Sequence, residues 1–256
     1  GEAHLLTDGK SRNTGARWST AGDRIAYGST RRTKNDVDFY VVDPLDPKTE
    51  KLVAENSGGG WTVVDWSPDD KRLLAVEYIS INETYIWLID AATGAKTAVT
   101  PKGSAEKIAY EPVAFTPDGK GIYVVTDRDS EFMRLAHLDL DSKKLTVLSG
   151  EIPWDVETAR LSRDGGKLAF VTNENGISRL HLLDTTTRKE LAVPELPAGV
   201  IGGVQWHENG RDLGFVVSSA RSPADVYSLD VTTGKVDRWT FSETGGLNAA
   251  TFSEPK

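Results

Sequence analysis

Apolar and polar positions in this chain alternate in short bursts, and the bursts recur five times. Each copy runs from an aromatic or apolar anchor through a polar turn into an apolar run, and ends further on at an apolar stretch closed by Asp. The copies read ARWSTAGDRIAYG (16–28), VDWSPDDKRLLAV (64–76), VAFTPDGKGIYVV (113–125), ARLSRDGGKLAFV (159–171) and VQWHENGRDLGFV (204–216). Their anchors, Trp18, Trp66, Phe115, Leu161 and Trp206, are spaced 48, 49, 46 and 45 residues apart, and the closing aspartates Asp43, Asp90, Asp139, Asp184 and Asp230 follow them by 23 to 25 residues. Two landmarks at a fixed offset, in a period built of short strands and tight turns, are the signature of a β-propeller blade.

The third copy shows how one blade is written. VAFT (113–116) is a short apolar strand, PDGK (117–120) a turn and GIYVVT (121–126) a second strand. DRDSEF (127–132) is a polar loop, MRLAHLDL (133–140) alternates as a half-buried strand, DSKK (141–144) turns, and LTVLS (145–149) is the outer strand. The same reading places second-to-third-strand loops at 28–38, 78–84, 173–178 and 218–225. The residue four beyond each anchor is Gly22, Asp70, Gly119, Gly165 or Gly210, a set suited to a turn with φ near or above zero. The closing aspartates are expected to accept backbone N–H bonds in the turn that follows them. The anchors are expected to lie buried between neighbouring blades, where aromatic side chains contribute most area.

The fold expected is all-β: five complete four-stranded blades of about 46 residues. Their limits are about 11–57, 58–104, 105–151, 152–198 and 199–243, preceded at 1–10 by the outer strand of an earlier blade (HLLTDG, 4–9) and followed by a linker at 244–256. Five blades can close a ring by themselves or form part of a larger one, and the orphan strand favours the larger ring. A cut ring leaves its end sheets uncovered, so a chain of this kind should be less stable than its parent or should self-associate.

Composition narrows the function. A net charge of −8 and a pI near 5.1 argue against nucleic acid as a partner, which needs a concentrated basic surface. The basic cluster Arg31, Arg32 and Lys34 is followed closely by Asp36 and Asp38 and reads as a solvated loop. With no cysteine there is neither a disulfide framework nor a thiolate site, and no stretch approaches the ~18 apolar residues of a membrane helix. A soluble protein of cytoplasm or periplasm is expected, with no metal and no cofactor. Gly-x-Ser-x-Gly, His-Glu-x-x-His and the phosphate-binding Gly-rich loop are all absent. His4, His137, His181 and His207 read as strand or turn positions. Carboxylates are plentiful, but no pair is singled out for the two-carboxylate chemistry of a five-bladed glycosidase.

WSPDDKRLL (66–74), FTPDGKGIYVVTD (115–127), DSEF (129–132), PWDVE (153–157), LSRDGGKLAFVTNENG (161–176), RWTFSETGGLN (238–248) and FSEP (252–255) together resemble the propeller of bacterial prolyl oligopeptidase family serine peptidases. The Ser/Thr-Pro-Asp-Gly turn is shared with TolB-like propellers, so a binding or scaffolding propeller without a hydrolase domain is the alternative. The resemblance implies a seven-bladed ring, of which this chain holds the last five blades and one strand. It also implies an α/β-hydrolase domain beyond Lys256 that carries the catalytic triad, with short peptides as substrates. No triad residue falls on this chain, and the Glu-Glu pair by which dipeptidyl peptidases of the wider family hold a substrate amine does not occur. Catalysis is therefore not expected of these residues themselves. A following domain would sit most simply over the second-to-third-strand loops, which makes Arg31, Arg32, Glu83, Arg128, Asp129, Glu131, Asn173, Glu174 and Arg221 candidates for domain contact or peptide orientation. Arg128 and Glu131 lead that set because they flank a short loop and could pair with a peptide's termini.

Overall fold

The computed structural model describes residues 5–58, 60–103, 105–150 and 152–253. They form five sheets of four antiparallel strands, each a meander in chain order. The first sheet holds β1 (Asn13–Trp18), β2 (Ile25–Ser29), β3 (Asp38–Asp43) and β4 (Asp46–Ala54); the second β5 (Gly60–Trp66), β6 (Arg72–Ser80), β7 (Glu83–Asp90) and β8 (Lys96–Ala98). The third holds β9 (Tyr110–Phe115), β10 (Gly121–Thr126), β11 (Arg134–Asp139) and β12 (Leu145–Val147). The fourth holds β13 (Val156–Leu161), β14 (Lys167–Glu174), β15 (Ile177–Asp184) and β16 (Glu190–Leu191); the fifth β17 (Val200–Trp206), β18 (Asp212–Ser218), β19 (Asp225–Asp230) and β20 (Lys235–Arg238). A single 3-10 turn, Ala249–Thr251, follows, and no helix among the described residues is long and apolar enough to cross a membrane. These are propeller blades, and the chain divides into two compact units. One runs to Asp129 and takes in Ala136–Val147; the other holds Ser130–Leu135 and continues from Leu148.

Three of the five repeated turns are built by the same atoms. Ser67, Thr116 and Ser162 each donate a hydroxyl to the Asp two residues on at 2.6 Å and accept the backbone N–H five residues on at 2.9 Å. The residue four beyond each anchor does take a positive φ: 74° at Gly22, 55° at Asp70, 66° at Gly119, 71° at Gly165 and 62° at Gly210. Asp70 tolerates that conformation as acidic and amide side chains do, and its carboxylate accepts Thr20 N–H at 2.6 Å and Ala21 N–H at 2.9 Å from the blade before. The closing aspartates accept backbone N–H groups of their turns, as at Asp90 from Thr93 at 2.7 Å and at Asp184 from Thr187 at 2.7 Å.

The second strands β2, β10 and β14 are buried along most of their length, because both faces of a blade's inner half meet other side chains. In the first unit, Trp61, Val63, Trp66, Leu73 and Ile89 pack with Phe39 and Val41 of the preceding blade. In the second unit, Trp206, Leu213, Phe215 and Leu229 pack with Ala169, Val171 and Leu182. The anchor expectation holds for Trp66, Phe115 and Trp206 and fails at two positions. Trp18 is 59% exposed and Leu161 is only half-buried. The reason at Trp18 is directional: the Trp66 indole donates to Arg17 O at 3.1 Å and the Trp206 indole to Arg160 O at 2.9 Å, each on the blade before. Trp18 heads the first blade, and residues 5–12 hold no strand for it to lie against. The outer strand expected at 4–9 is thus not seen at 5–9, and His4 lies outside the described residues.

Candidate functional site

Antiparallel meanders place second-to-third-strand loops at the end of each blade from which its outer strand exits. In the first unit this end carries residues 30–37, the β6–β7 hairpin and the loop after Thr126. Glu83, expected in a loop, opens β7 instead; Ser80 pairs with Glu83, so only Ile81 and Asn82 make the turn. The alternation of YISINETY continues as strand, and the tip leaves Tyr78, Ile79 and Ile81 exposed.

The arginines of the first loop are held by their own blade. Arg31 grips Glu50 through NH1 at 2.5 Å and NH2 at 2.9 Å, lies 3.5 Å from Asp8, and stacks over the Tyr40 ring at 4.7 Å. Tyr27 donates its hydroxyl to the same Glu50, and burial together with that carboxylate pushes its pKa far up, while the Arg31 hydrogen bond lowers that of Glu50. Arg32 is bidentate on the fully buried Asp38 at 2.8 and 2.9 Å and reaches Asn56 O at 2.9 Å. Glu83 accepts the Tyr85 hydroxyl at 2.7 Å and pairs with Lys107 at 3.0 Å.

Arg128 is placed differently. Its Nε is 3.5 Å from the adjacent Asp129, which has φ of 58°, and the guanidinium borders two cavities. One, of about 220 Å³, is lined with it by Tyr85, Ile108 and Tyr110; the other, of about 390 Å³, by Tyr110, Lys102, Leu138 and Lys143. Burial raises the pKa of Tyr110, so its hydroxyl stays protonated there. Lys102 reaches this place because the buried Glu77 accepts it at 2.6 Å and also accepts the Trp87 indole at 2.9 Å. A half-buried cation between aromatic walls can hold a carboxylate or a carbonyl oxygen.

In the second unit Glu131 and Arg221 are exposed. Asn173 and Glu174, expected in a loop, end β14: Glu174 pairs with Ile177 across Asn175 and Gly176, both at positive φ. Asn-Gly is the strongest short hairpin signal, and here it overrides the polar run around it. Asn173 accepts Gly176 N–H at 2.8 Å and donates to Glu157 at 3.1 Å; Glu174 accepts the Thr172 hydroxyl at 3.2 Å. The reading from sequence missed Asp225, whose fully buried carboxylate gathers Ser222, Arg238, Thr240 and Ser242 within 2.9 Å. Those hydrogen bonds, Ser222's foremost, hold its pKa well below the usual carboxylate range. The signal was present: Asp38 and Asp225 both stand five residues before their closing Asp. Lys102 lies in the connection between the second and third blades and Tyr110 opens β9, so neither falls in the loops within a blade that the repeat marks out. No cluster of His, Asp and Glu that could hold a metal occurs among the described residues.

A family model, the prolyl oligopeptidase N-terminal β-propeller domain, matches residues 10–242. The chain belongs to the prolyl oligopeptidase N-terminal β-propeller family. Solved structures similar to this propeller include a puromycin-hydrolyzing peptidase of Mycobacterium tuberculosis, at 17% identity and TM-score 0.78 over 96% of this chain and 39% of that one. Prolyl oligopeptidase B of Galerina marginata matches at 11% identity and TM-score 0.76 over 93% of this chain and 35% of that one. TolB of Acinetobacter baumannii matches at 20% identity and TM-score 0.65 over 90% of this chain and 54% of that one. The chain thus spans between about a third and about half of the length of these structures. A search of the curated proteins found no match.

Proposed function

We propose that this propeller is the noncatalytic, substrate-gating portion of an oligopeptidase-type serine peptidase. Its partner is a C-terminal α/β-hydrolase domain of the same parent, and its substrate a short peptide. The observation that carries the reading is the family match across residues 10–242. In this reading the five blades belong to a seven-bladed ring, and the hydrolase domain rests on the end that holds the second-to-third-strand loops. Arg31, Arg32 and Glu83, already engaged within their blades, are assigned with Asp129, Asn173, Glu174 and Arg221 to contact with that domain. Arg128, beside its cavities, and the exposed Glu131 are assigned to the peptide.

In the intact parent, Arg128→Ala and Glu131→Ala should each change kcat/KM for short peptides, by about tenfold to a hundredfold if one charge-assisted hydrogen bond is lost. Unchanged kinetics in both would sink the site assignment. The chain alone should neither hydrolyse peptides nor take up a serine-directed probe, and labelling would overturn the noncatalytic reading. The likeness to TolB supports a second reading, a binding propeller without a hydrolase domain. The parent sequence beyond Lys256 separates the two: a Gly-x-Ser-x-Gly elbow between strand and helix favours the peptidase, and a short tail favours the binding propeller.

A further inference from the structure

The fourth blade departs from the second, third and fifth at the outer edge of its third strand. In the second blade, Ile86, four residues before the closing Asp, has both outward main-chain groups engaged: Val99 N–H donates to its carbonyl at 2.8 Å, and its N–H donates to the Thr100 hydroxyl at 3.0 Å. The fifth blade repeats this at Val226, with Trp239 N–H to its carbonyl at 2.8 Å and its N–H to the Thr240 hydroxyl at 2.8 Å. In the third, Leu148 N–H reaches the Leu135 carbonyl at 2.8 Å. The hydroxyl position, ten residues past the closing Asp, is Thr100, Ser149 and Thr240 in these blades, and in the fourth it is Pro194.

The consequence is an open edge. β16 spans only Glu190–Leu191, paired with Leu182 and Leu183 of β15, and the chain is pinned again where Ser178 N–H donates to Gly199 O at 2.9 Å. Between these pins residues 192–198 bow away with two prolines, which cannot donate to a ladder. Ser178 and Asp184 both direct their N–H groups outward, to Gly199 O and Lys189 O, so by the two-residue period Leu180 does so as well. No described residue hydrogen-bonds its outward N–H or C=O. The bow leaves an open groove of about 880 Å³ along β15. Leu191, Val193 and Leu196 form its apolar side and pack partly buried on the core of the second unit, which holds the bow in place.

The groove walls are acidic. Glu174, Glu190 and Glu195 line it against one arginine, Arg179, and His181. His181 is fixed between Glu190 at 2.8 Å and Thr172 at 3.0 Å, stacked on Phe170 with ring centroids 4.6 Å apart. Glu190 remains 61% exposed while bonded to it. A buried main-chain pair that lacks its partner is a template for an added strand, and apolar side chains beside carboxylates select what enters.

We propose that this groove binds an extended peptide segment that adds to β15 at Leu180 and carries a Lys or Arg toward Glu174 and Glu190. The incoming segment supplies the two hydrogen bonds that positions 193 and 194 withhold, an N–H for the Leu180 carbonyl and an acceptor for its N–H, in the manner of β-strand addition. This site is independent of peptide hydrolysis and needs no hydrolase domain, so its failure would leave the proposed function untouched.

The probe is a fluorescent, end-blocked Ala-Val-Lys-Val-Ala peptide titrated against the full chain by anisotropy, with a set of analogues N-methylated at one amide each. Methylation should weaken binding at one amide only, the one that donates to the Leu180 carbonyl, by about threefold to tenfold for one lost hydrogen bond. Replacing the peptide's Lys by Glu, or Glu190→Gln in the protein, should weaken it in the same direction. Pro194→Thr, which restores the hydroxyl that closes the second and fifth blades, should abolish most of the binding while the far-ultraviolet spectrum is unchanged. No binding to the unaltered chain, or binding indifferent to which amide is methylated, overturns the proposal. Because the methylation series uses the unaltered protein, it decides the matter even where Pro194→Thr misfolds.

Discussion

At the scale of single residues, one half-buried carboxylate makes a pH-dependent contribution to stability. Asp65 precedes its blade's anchor and accepts Phe115 N–H of the next blade at 2.9 Å. Burial pushes its pKa up to about 6, against the pull of the Phe115 and Trp66 N–H groups and of Arg17. With the folded value above the ordinary one, the unfolded chain releases its proton first as pH rises through about 4. Stability from this group is therefore full below pH 4, falls between about 4 and 6, and stays low above. Asp65→Asn keeps the acceptor and removes the charge, so the variant should gain on the unaltered chain by on the order of 2 kcal/mol between pH 4 and pH 7. Urea unfolding at both pH values measures this, and a difference independent of pH would contradict it. Asp70 shows a second residue-scale device, since a left-handed position usually given to Gly is occupied by a side chain that ties two backbone amides of the blade before.

At the scale of the blade, the joint between neighbours is written in the anchor and in the residue six beyond it. Arg24 lies over Trp66 at 5.1 Å and Arg72 over Phe115 at 5.5 Å, while Lys167 reaches Gly210 O at 3.2 Å. Each cation thus engages the blade that follows, while the Trp66 and Trp206 indoles bond the blade that precedes. Trp66→Phe and Trp206→Phe should each destabilise by about 1–3 kcal/mol, from the orphaned carbonyl and the lost ring area. Trp18→Phe, with its indole exposed, should stay within about 0.5 kcal/mol. Equal costs at Trp18 and Trp66 in chemical unfolding would refute the directional joint. Close approach between blades also fixes Gly94 at φ 74°, because a Cβ there would stand 2.0 Å from Val53 O.

At the scale of the molecule, repeats that bury their faces only against neighbours gain stability from each neighbour added. The parent proposed above, with a blade ahead of Trp18, is expected to melt several degrees higher than this chain, since a gain of 1 kcal/mol moves the midpoint by about 2–4 °C at this size. A monomer of this chain with a concentration-independent midpoint equal to the parent's would count against the larger ring. The end of the blades that carries Arg128 has the cavities, the ion pair of the buried Glu77 with the exposed Lys102, and the exposed Tyr78–Ile81 hairpin tip together in one unit.

The period, the strand count, the positive-φ turn position and the role of the closing aspartates were legible in the sequence, because each depends on residues a few positions apart: a Ser or Thr and its Asp, an Asp and its following amides. The candidate site was legible only as a set of loops. Which carboxylate engages which arginine is set by the fold: Glu50, on the blade's outer strand, takes Arg31 and the nearby Asp38 takes Arg32, and neither pairing follows from spacing. Burial of the anchors likewise required knowing which face of a blade meets its neighbour, a direction that a period does not encode. The groove at Leu180 belongs to the same class. Pro194 could be read from the sequence at once, but the loss of a hydrogen-bond partner at Leu180 arises across the sheet, and only the tertiary structure brings the two together.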